Sequence, residues 1–196
     1  MQVQRKTLQM KRLDFFSESL RNLKEVGTVT RSSRYLCRNV ANHIAFDHAD
    51  VIVELGAGDG VISREILKRM KPGGKFIALE INEAFSGDLE KMDDSRFFFY
   101  KRSAEELTAI LEEMGVEEVD YVISALPFTV MPKEVAADIV GQCRKVLRMN
   151  GKYIQVHYSL MRKNMYKKVF GNVKVNFVFK NLPPAFLLVS EIREKA

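Results

Sequence analysis

The sequence predicts an α/β fold with a doubly wound, seven-stranded, mostly parallel sheet that ends in an antiparallel C-terminal hairpin. From residue 51 onward, short apolar runs alternate with helical patterns, which implies helical crossovers between parallel strands. In residues 173–192, two apolar runs are separated by Pro183 and Pro184, with no helical pattern between them. Two strands joined in this way most simply form a hairpin that closes the sheet.

Each element follows from its local pattern. The predicted strands are VIVEL, KFIALEI, RFFFYKR, VDYVISALP and KYIQVHYS, followed by the two runs of the hairpin. Helical patterns predict helices at residues 61–70, at residues 104–115 and from Lys133 to Arg148.

Two amphipathic helices are predicted within residues 1–46, where they would cover the ligand site. The first has basic borders and an apolar stripe, formed by Met10, Leu13, Phe16, Leu20 and Leu23. It either packs on the sheet or lies in a membrane interface with its basic borders on anionic headgroups. The second helix runs from Tyr35 to Ile44. Residues 47–196 are predicted to form the ligand-binding domain within the same structural unit.

Composition restricts the class of protein. A chain of 196 residues with 46% hydrophobic and 29% charged residues is expected to form one globular domain with a sizeable core. No apolar run approaches the roughly 18 residues that span a bilayer, and the first residues do not resemble a signal peptide. The two cysteines, Cys37 and Cys143, lie in no metal-binding pattern. We therefore expect a cytoplasmic protein without a metal.

The formal net charge of +6 is distributed unevenly. Residues 1–50 carry a net charge of +4 and residues 151–196 carry +7, on either side of a middle segment with −5. This pattern is typical of a protein that meets an anionic surface, either nucleic acid or lipid headgroups, although basic residues also serve solubility.

A glycine-rich turn, Gly56-Ala57-Gly58-Asp59-Gly60, follows the first predicted strand and opens a helix. Glycines at such a turn allow backbone amides to approach a ligand closely. The third glycine comes one residue earlier than in the dinucleotide fingerprint, and Glu54 stands two residues before the first. An acid there disfavours a pyrophosphate and favours a cationic ligand, which suits S-adenosylmethionine. Glu80, at the end of the next strand, is placed to accept hydrogen bonds from two ribose hydroxyls.

The order of VELGAGDG, ALE and a later strand ending in SALPF resembles the class I S-adenosylmethionine-dependent methyltransferases. Four segments further resemble the bacterial phospholipid N-methyltransferases, which methylate phosphatidylethanolamine: VGTVTRSSR at 26–34, SALPF at 124–128, QVHYS at 155–159 and NLPPAF at 181–186. The resemblance implies a Rossmann-like methyltransferase fold. It also implies an enzyme that methylates the amine of an aminophospholipid.

The cofactor-binding residues that we expect are Glu54, Gly56, Ala57, Gly58, Gly60, Glu80, Ser103, Ala104 and Ser124. Two positions depart from the family pattern. Ser103 stands where the family has an aspartate, so that a hydroxyl would face the adenine amino group and cofactor affinity would be modestly lower. Arg31 stands where the loop motif of the family has a proline.

The acceptor is expected beyond the carboxyl ends of the strands, at Ser124–Phe128. Pro127 lacks a backbone donor and would help to present carbonyls to the hydrogens of an amine. Phe128 would either stack on a methylated cation or fill the core. The resemblance selects Tyr158 as a further catalytic residue, while His157, where the family has a small residue, is interpreted as structural.

The basic run Arg162, Lys163, Lys167 and Lys168 either contacts an anionic membrane, at up to about 1 kcal/mol per residue, or forms a solvated helical face. The expected partners are a phospholipid substrate and the inner face of the membrane, to which the protein would bind peripherally.

Three alternatives to this function remain. An rRNA adenine N6-methyltransferase is the nearest, because SALPF also resembles the Asn-Leu-Pro-Tyr motif of that group. The others are a small-molecule methyltransferase and a binding protein without catalytic activity.

Overall fold

The computed structural model describes residues 32–194, which form six α-helices and seven strands. The helices are α1 (Arg34–Ala41), α2 (Val61–Leu67), α3 (Glu83–Glu90), α4 (Leu107–Glu113), α5 (Lys133–Val146) and α6 (Lys163–Phe170). The strands are β1 (Val51–Leu55), β2 (Lys75–Leu79), β3 (Phe97–Tyr100), β4 (Val119–Ser124), β5 (Leu147–His157), β6 (Lys174–Val178) and β7 (Ala185–Glu191).

All seven strands form one sheet in the order β3-β2-β1-β4-β5-β7-β6. The first five strands are parallel, and β7 runs antiparallel to both β5 and β6. The predicted fold class is thus confirmed, including the hairpin at the end of the chain. The strand order reverses between β1 and β4, and open α/β sheets bind their ligands at such a point.

The core on one face of the sheet is formed with α1, α2 and α3, which contribute Leu36, Ile66 and Leu89. Side chains of β4 are buried along its whole length, as expected for a central strand covered on both faces. Within residues 32–194, no helix is both long and apolar enough to cross a membrane.

One edge of the sheet collects the ends of the parallel strands, and we call it the carboxyl edge. Leu55 at the end of β1 pairs with Leu79 of β2 and with Ser124 of β4. The hairpin turn, residues 179–184, reaches the same edge, because His157 at the end of β5 pairs with Phe186 and Val178 pairs with Ala185.

Several boundaries differ from the sequence-based predictions. Helix α3 was not predicted, and α6 was predicted only as one of two alternatives, the solvated helical face of the basic run at 162–168. Each helix has eight residues and buries only two side chains, too few to reveal a stripe. The fourth strand ends at Ser124 rather than Pro127. The fifth begins at Leu147 instead of Lys152, with Asn150 at a φ of 61° donating its amide to the Ile192 carbonyl. The first predicted helix and Arg31 lie outside the described residues.

Candidate functional site

The glycine-rich turn lies between β1 and α2 on the carboxyl edge. The amides of Gly56 and Ala57 both donate to the Leu79 carbonyl, at 2.9 and 3.2 Å, which fastens the turn to the end of β2. Gly56 has a φ of 74°, and a Cβ added there would lie 2.8 Å from Leu126 Cδ2. Glycine is therefore required at position 56 both by the backbone conformation and by the close approach of the loop after β4.

Gly58 and Glu80, two of the predicted cofactor-binding residues, are joined by a hydrogen bond. Glu80 follows β2 and is 6% exposed. Its Oε2 accepts a hydrogen bond from the Gly58 amide at 2.9 Å, and its Oε1 accepts one from the Asn82 amide at 2.8 Å. These two bonds hold the Glu80 carboxylate in one orientation beside the turn. Gly58, with a φ of 55°, has open space where a Cβ would stand.

Glu54 lies within β1 and is fully buried. Ser63 of α2 donates a hydrogen bond of 2.5 Å to its Oε2, whereas Oε1 has no hydrogen-bond partner within residues 32–194. Burial raises the pKa of Glu54 to about 8, the hydrogen bond from Ser63 opposes the shift, and the carboxyl groups of Glu80 and Asp59 add to it. A buried acceptor without a partner fits a ligand that brings a cationic donor, as S-adenosylmethionine does.

Ser103 and Ala104 are both buried beyond the end of β3. The Ser103 hydroxyl caps the short helix that starts at Ala104, accepting from the Glu105 amide at 3.2 Å. Glu106 completes a capping box by accepting from the Ser103 amide at 3.2 Å. Ser103 thus has a local structural task, and its predicted contact with adenine stays a prediction.

Strand β4 ends at Ser124, which is fully buried and whose hydroxyl accepts a hydrogen bond from the Leu126 amide of the following loop at 3.3 Å. The carbonyls of Leu126 and Pro127 accept hydrogen bonds from the amides of Phe128 and Val130, at 2.9 and 3.1 Å. Phe128 is fully buried, the placement of a core aromatic rather than of a ring open to a cation. Of the predicted acceptor loop, Ala125 and Pro127 are the partly exposed residues.

Tyr158 and His157 point in different directions, as successive residues at the end of a strand should. His157 is buried, and its Nε2 shares a hydrogen bond of 2.6 Å with the Tyr166 hydroxyl. Burial lowers the pKa of His157 to about 4, and Arg162 acts in the same direction. Tyr158 is 41% exposed, and partial burial raises the pKa of its phenol despite a hydrogen bond with Asn181.

Sequence reasoning missed two buried polar residues at this edge. Gln155 of β5 donates from Nε2 to the Leu126 carbonyl at 3.1 Å, and its Oε1 accepts from the Tyr153 hydroxyl at 2.5 Å. Asn181 lies in the hairpin turn and contacts Tyr158. A polar residue within the apolar run YIQVH was the available signal for Gln155, whereas the contacts of Asn181 depend on distant parts of the chain.

Comparison with known proteins identifies the family of the chain. The sequence profile described as "Methyltransferase small domain" matches residues 26–180. An ornithine lipid N-methyltransferase of Singulisphaera acidiphila is 31% identical over 174 residues, which are 87% of this chain and 91% of the relative.

Solved structures share the fold at low sequence identity. A precorrin-6y C5,15-methyltransferase of Geobacter metallireducens superposes with a TM-score of 0.65 at 16% identity, covering 81% of this chain and 88% of the other. Aeropyrum pernix fibrillarin, in complex with S-adenosylmethionine, gives a TM-score of 0.57 at 19% identity, covering 72% and 66%. From the profile match, the lipid-methylating relative and the geometry of the turn, we conclude that the chain belongs to the methyltransferase small domain family and is an S-adenosylmethionine-dependent methyltransferase.

Proposed function

We propose that the protein transfers methyl groups from S-adenosylmethionine to the amine of an aminophospholipid such as phosphatidylethanolamine, at an anionic membrane surface. The observation that carries the proposal is the 31% identity to an ornithine lipid N-methyltransferase over 91% of that relative. S-adenosylmethionine supplies an electrophilic methyl group on a sulfonium. The remaining catalysis is then positioning of the acceptor nitrogen.

In this proposal, Glu54 and Glu80 are the two acidic residues that hold the cofactor beside the glycine turn. The buried Glu54 carboxylate pairs with a cationic group, and Glu80, fixed by two backbone amides, accepts the ribose hydroxyls. Gly56, Ala57, Gly58 and Gly60 allow the close approach of the cofactor, and Ser103, Ala104 and Ser124 border it. This arrangement predicts that cofactor binding depends most strongly on Glu54 and Glu80.

The acceptor amine must lose its proton before it can attack. Neither neighbouring side chain suits a general base at neutral pH: the Tyr158 phenol has a raised pKa, and the His157 imidazole is buried against Tyr166. We infer that desolvation in the pocket favours the neutral amine and that Tyr158 orients it by hydrogen bonding. Ala125 and Pro127, the partly exposed residues of this loop, would line the pocket, with the buried Ser124 and Phe128 behind them.

Ornithine lipid is a second candidate acceptor, because the relative is named for it. Both candidates present an amine on a lipid, so they make the same demand on the site. An rRNA acceptor is a weaker candidate. At the end of β4 stand the small residues Ser124 and Ala125, rather than a side-chain amide that could form hydrogen bonds with the edge of a base.

The test supplies labelled S-adenosylmethionine with three acceptors in parallel: anionic vesicles with phosphatidylethanolamine, anionic vesicles with ornithine lipid, and ribosomal RNA. We expect label in phosphatidylethanolamine, and expect Glu80→Gln to abolish the incorporation while the matched surface variant Glu90→Gln retains it. Label only in ornithine lipid would move the assignment to the second candidate. Label in RNA alone, or in no acceptor although the cofactor binds, would overturn the lipid proposal.

A further inference from the structure

Large apolar side chains are exposed mainly on one side of the molecule. Nine such side chains are exposed among residues 32–194, and seven of them lie on loops or a helix start at the carboxyl edge: Tyr35, Val130, Tyr158, Leu160, Met161, Phe179 and Leu182. Met149, at the opposite end of β5, and Phe177, on the edge strand β6, are the two others. Single exposed apolar residues are ordinary on protein surfaces, but a group confined to the ligand-binding edge indicates an interaction surface.

In the hairpin turn, hydrogen bonds of the Asn181 side chain form a frame from which Phe179 and Leu182 point outward. Asn181 is buried, its Nδ2 donating to the Pro183 carbonyl at 2.8 Å and its Oδ1 accepting from the Ser33 amide at 2.9 Å. The neighbouring Leu182 is 81% exposed and Phe179 is 60% exposed. The turn therefore buries its amide side chain and presents its leucine and phenylalanine to the outside, the reverse of what an ordinary solvated turn requires.

A second loop at the carboxyl edge, residues 158–162, repeats this arrangement. Met161 is 77% exposed, and Leu160 beside it is also exposed. Two hydrogen bonds hold this loop in place: Arg162 donates to the Met131 carbonyl at 2.9 Å, and the Lys163 amide donates to the Leu160 carbonyl at 3.0 Å. Two separately anchored tips thus carry exposed apolar side chains beside Tyr158.

Both tips lie in a stretch of the sequence whose charged side chains are all basic. Between Asp138 and Glu191 the chain has ten lysines and arginines and no acidic residue. Arg162 and Lys163 lie at the second loop, whereas Lys152 and Lys174 lie toward the opposite end of their strands. Lys180 lies within the hairpin turn, 5.5 Å from the ring centre of Tyr35 and 5.7 Å from that of Phe179. On α6, Tyr166 and Phe170 are buried while Lys163, Lys167 and Lys168 are exposed. Apolar tips surrounded by cations complement the interface of an anionic bilayer, which is apolar below and negative above.

We propose that the carboxyl edge docks on an anionic phospholipid bilayer, with Phe179 and Leu182 of the hairpin turn and Leu160 and Met161 of the second loop inserted at headgroup depth. This proposal rests on the proposed lipid-methylating function for its purpose. The inserted edge is the one on which β1 and β4 end, so the amine of a lipid can reach the glycine turn while its acyl chains stay in the bilayer.

Tryptophan fluorescence tests the insertion directly, because the chain contains no tryptophan. Phe179→Trp creates a single probe in the hairpin turn, and Met149→Trp is the matched probe at the opposite end of β5. With anionic vesicles we expect the emission of F179W to shift to the blue and to be quenched by brominated acyl chains, while M149W stays unchanged. Equal responses of the two probes, or no response of F179W, would overturn the proposal.

A binding measurement separates this proposal from the proposed function. Phe179→Ser with Leu182→Ser is expected to weaken binding to anionic vesicles at least tenfold and to leave methylation of a dispersed short-chain aminolipid within about twofold, with Met149→Ser as the control. Vesicle binding by the wild type without methylation of any lipid would contradict the proposed function alone. Unchanged vesicle binding by the double variant, or a change in its oligomeric state instead, would overturn the docking surface alone.

Discussion

At the scale of single residues, the site depends on two carboxyl groups in opposite situations. Both carboxylate oxygens of Glu80 accept hydrogen bonds from backbone amides. Glu54 is buried with one oxygen without a partner among the described residues, and its pKa is raised to about 8. The unliganded protein therefore has an unfavourable group at position 54 that a cationic ligand can relieve. Strain of this kind is common where residues are selected for binding rather than for stability.

Glu54→Gln should stabilise the unliganded protein and reduce, without abolishing, its stabilisation by S-adenosylmethionine. The folded-state pKa of Glu54 lies above its unfolded value of 4.5, so the wild type loses stability as the pH rises from about 4.5 to about 8. Near pH 8 we expect the variant to gain of the order of 1–3 kcal/mol, or roughly 2–4 °C in Tm per kcal/mol. Thermal unfolding with and without the cofactor measures both effects. A lower Tm for the unliganded variant would contradict this account.

The affinity for S-adenosylmethionine should rise with pH and then level off near pH 8. Binding to a cation requires the Glu54 carboxylate, so below the pKa of about 8 the ligand must displace a proton. We expect Kd to increase by up to about tenfold for each pH unit below 8. Calorimetry in buffers of different ionisation enthalpy should detect the released proton. The amino group of the cofactor contributes equally to the pH dependence of Kd in the wild type and in E54Q, so the difference between the two profiles belongs to Glu54. Identical profiles of the two proteins would exclude Glu54 as the group that releases the proton.

At the scale of elements, strands were easier to predict than short helices. The glycine turn and Glu80 could be placed from the sequence because they follow apolar runs, and parallel strands end at one edge. Helix α6 could be predicted only as one of two interpretations of its basic run, since its pair of buried residues, Tyr166 and Phe170, gives no stripe beyond a single four-residue spacing. The frame around Asn181 could not be predicted, because Ser33 is 148 positions away in the sequence.

The element that positions the loop after β4 is strand β5, through Gln155. Gln155→Met should remove the bond to the Leu126 carbonyl and the acceptor that Gln155 offers to the buried Tyr153 hydroxyl, which keeps its hydrogen bond with Ser124. We expect a loss of about 1–3 kcal/mol in the free energy of unfolding and a lower kcat, with the Kd for S-adenosylmethionine within about twofold. Adding Tyr153→Phe should recover part of the stability, since it removes a buried hydroxyl that has lost one of its two partners, but not the kcat. Recovery of both the stability and the kcat in the double variant would show that Gln155 has only a structural role.

At the scale of the whole molecule, the exposed apolar side chains, the glycine turn and the basic residues Arg162, Lys163 and Lys180 lie at the carboxyl edge of the sheet. These three basic residues belong to a segment without acidic residues, 139–190, which includes β5, α6 and most of the hairpin on one side of the sheet. The net charge of +6 would attract any polyanion, and the exposed apolar tips are the feature that favours a lipid surface over a nucleic acid in the proposed docking. The sequence alone does not predict that these features lie together, because Leu160 and Leu182 belong to separate segments of the chain that meet only in the folded structure.

Methylation of lipid in vesicles should therefore depend on salt and on anionic lipid, whereas methylation of a dispersed short-chain aminolipid should not. Each basic residue near an anionic surface contributes about 1 kcal/mol, and this attraction is screened beyond about 8 Å at physiological ionic strength. Raising the salt concentration should increase the apparent KM for vesicle substrate several-fold and leave kcat unchanged, because the chemical step lies in a buried site. Replacing Lys163, Lys167 and Lys168 by glutamine should reproduce the effect of salt at low ionic strength, with Lys91→Gln, on α3's C-terminal side, as the control. An equal loss of activity on the dispersed lipid would place these lysines in the acceptor site instead of on the membrane surface.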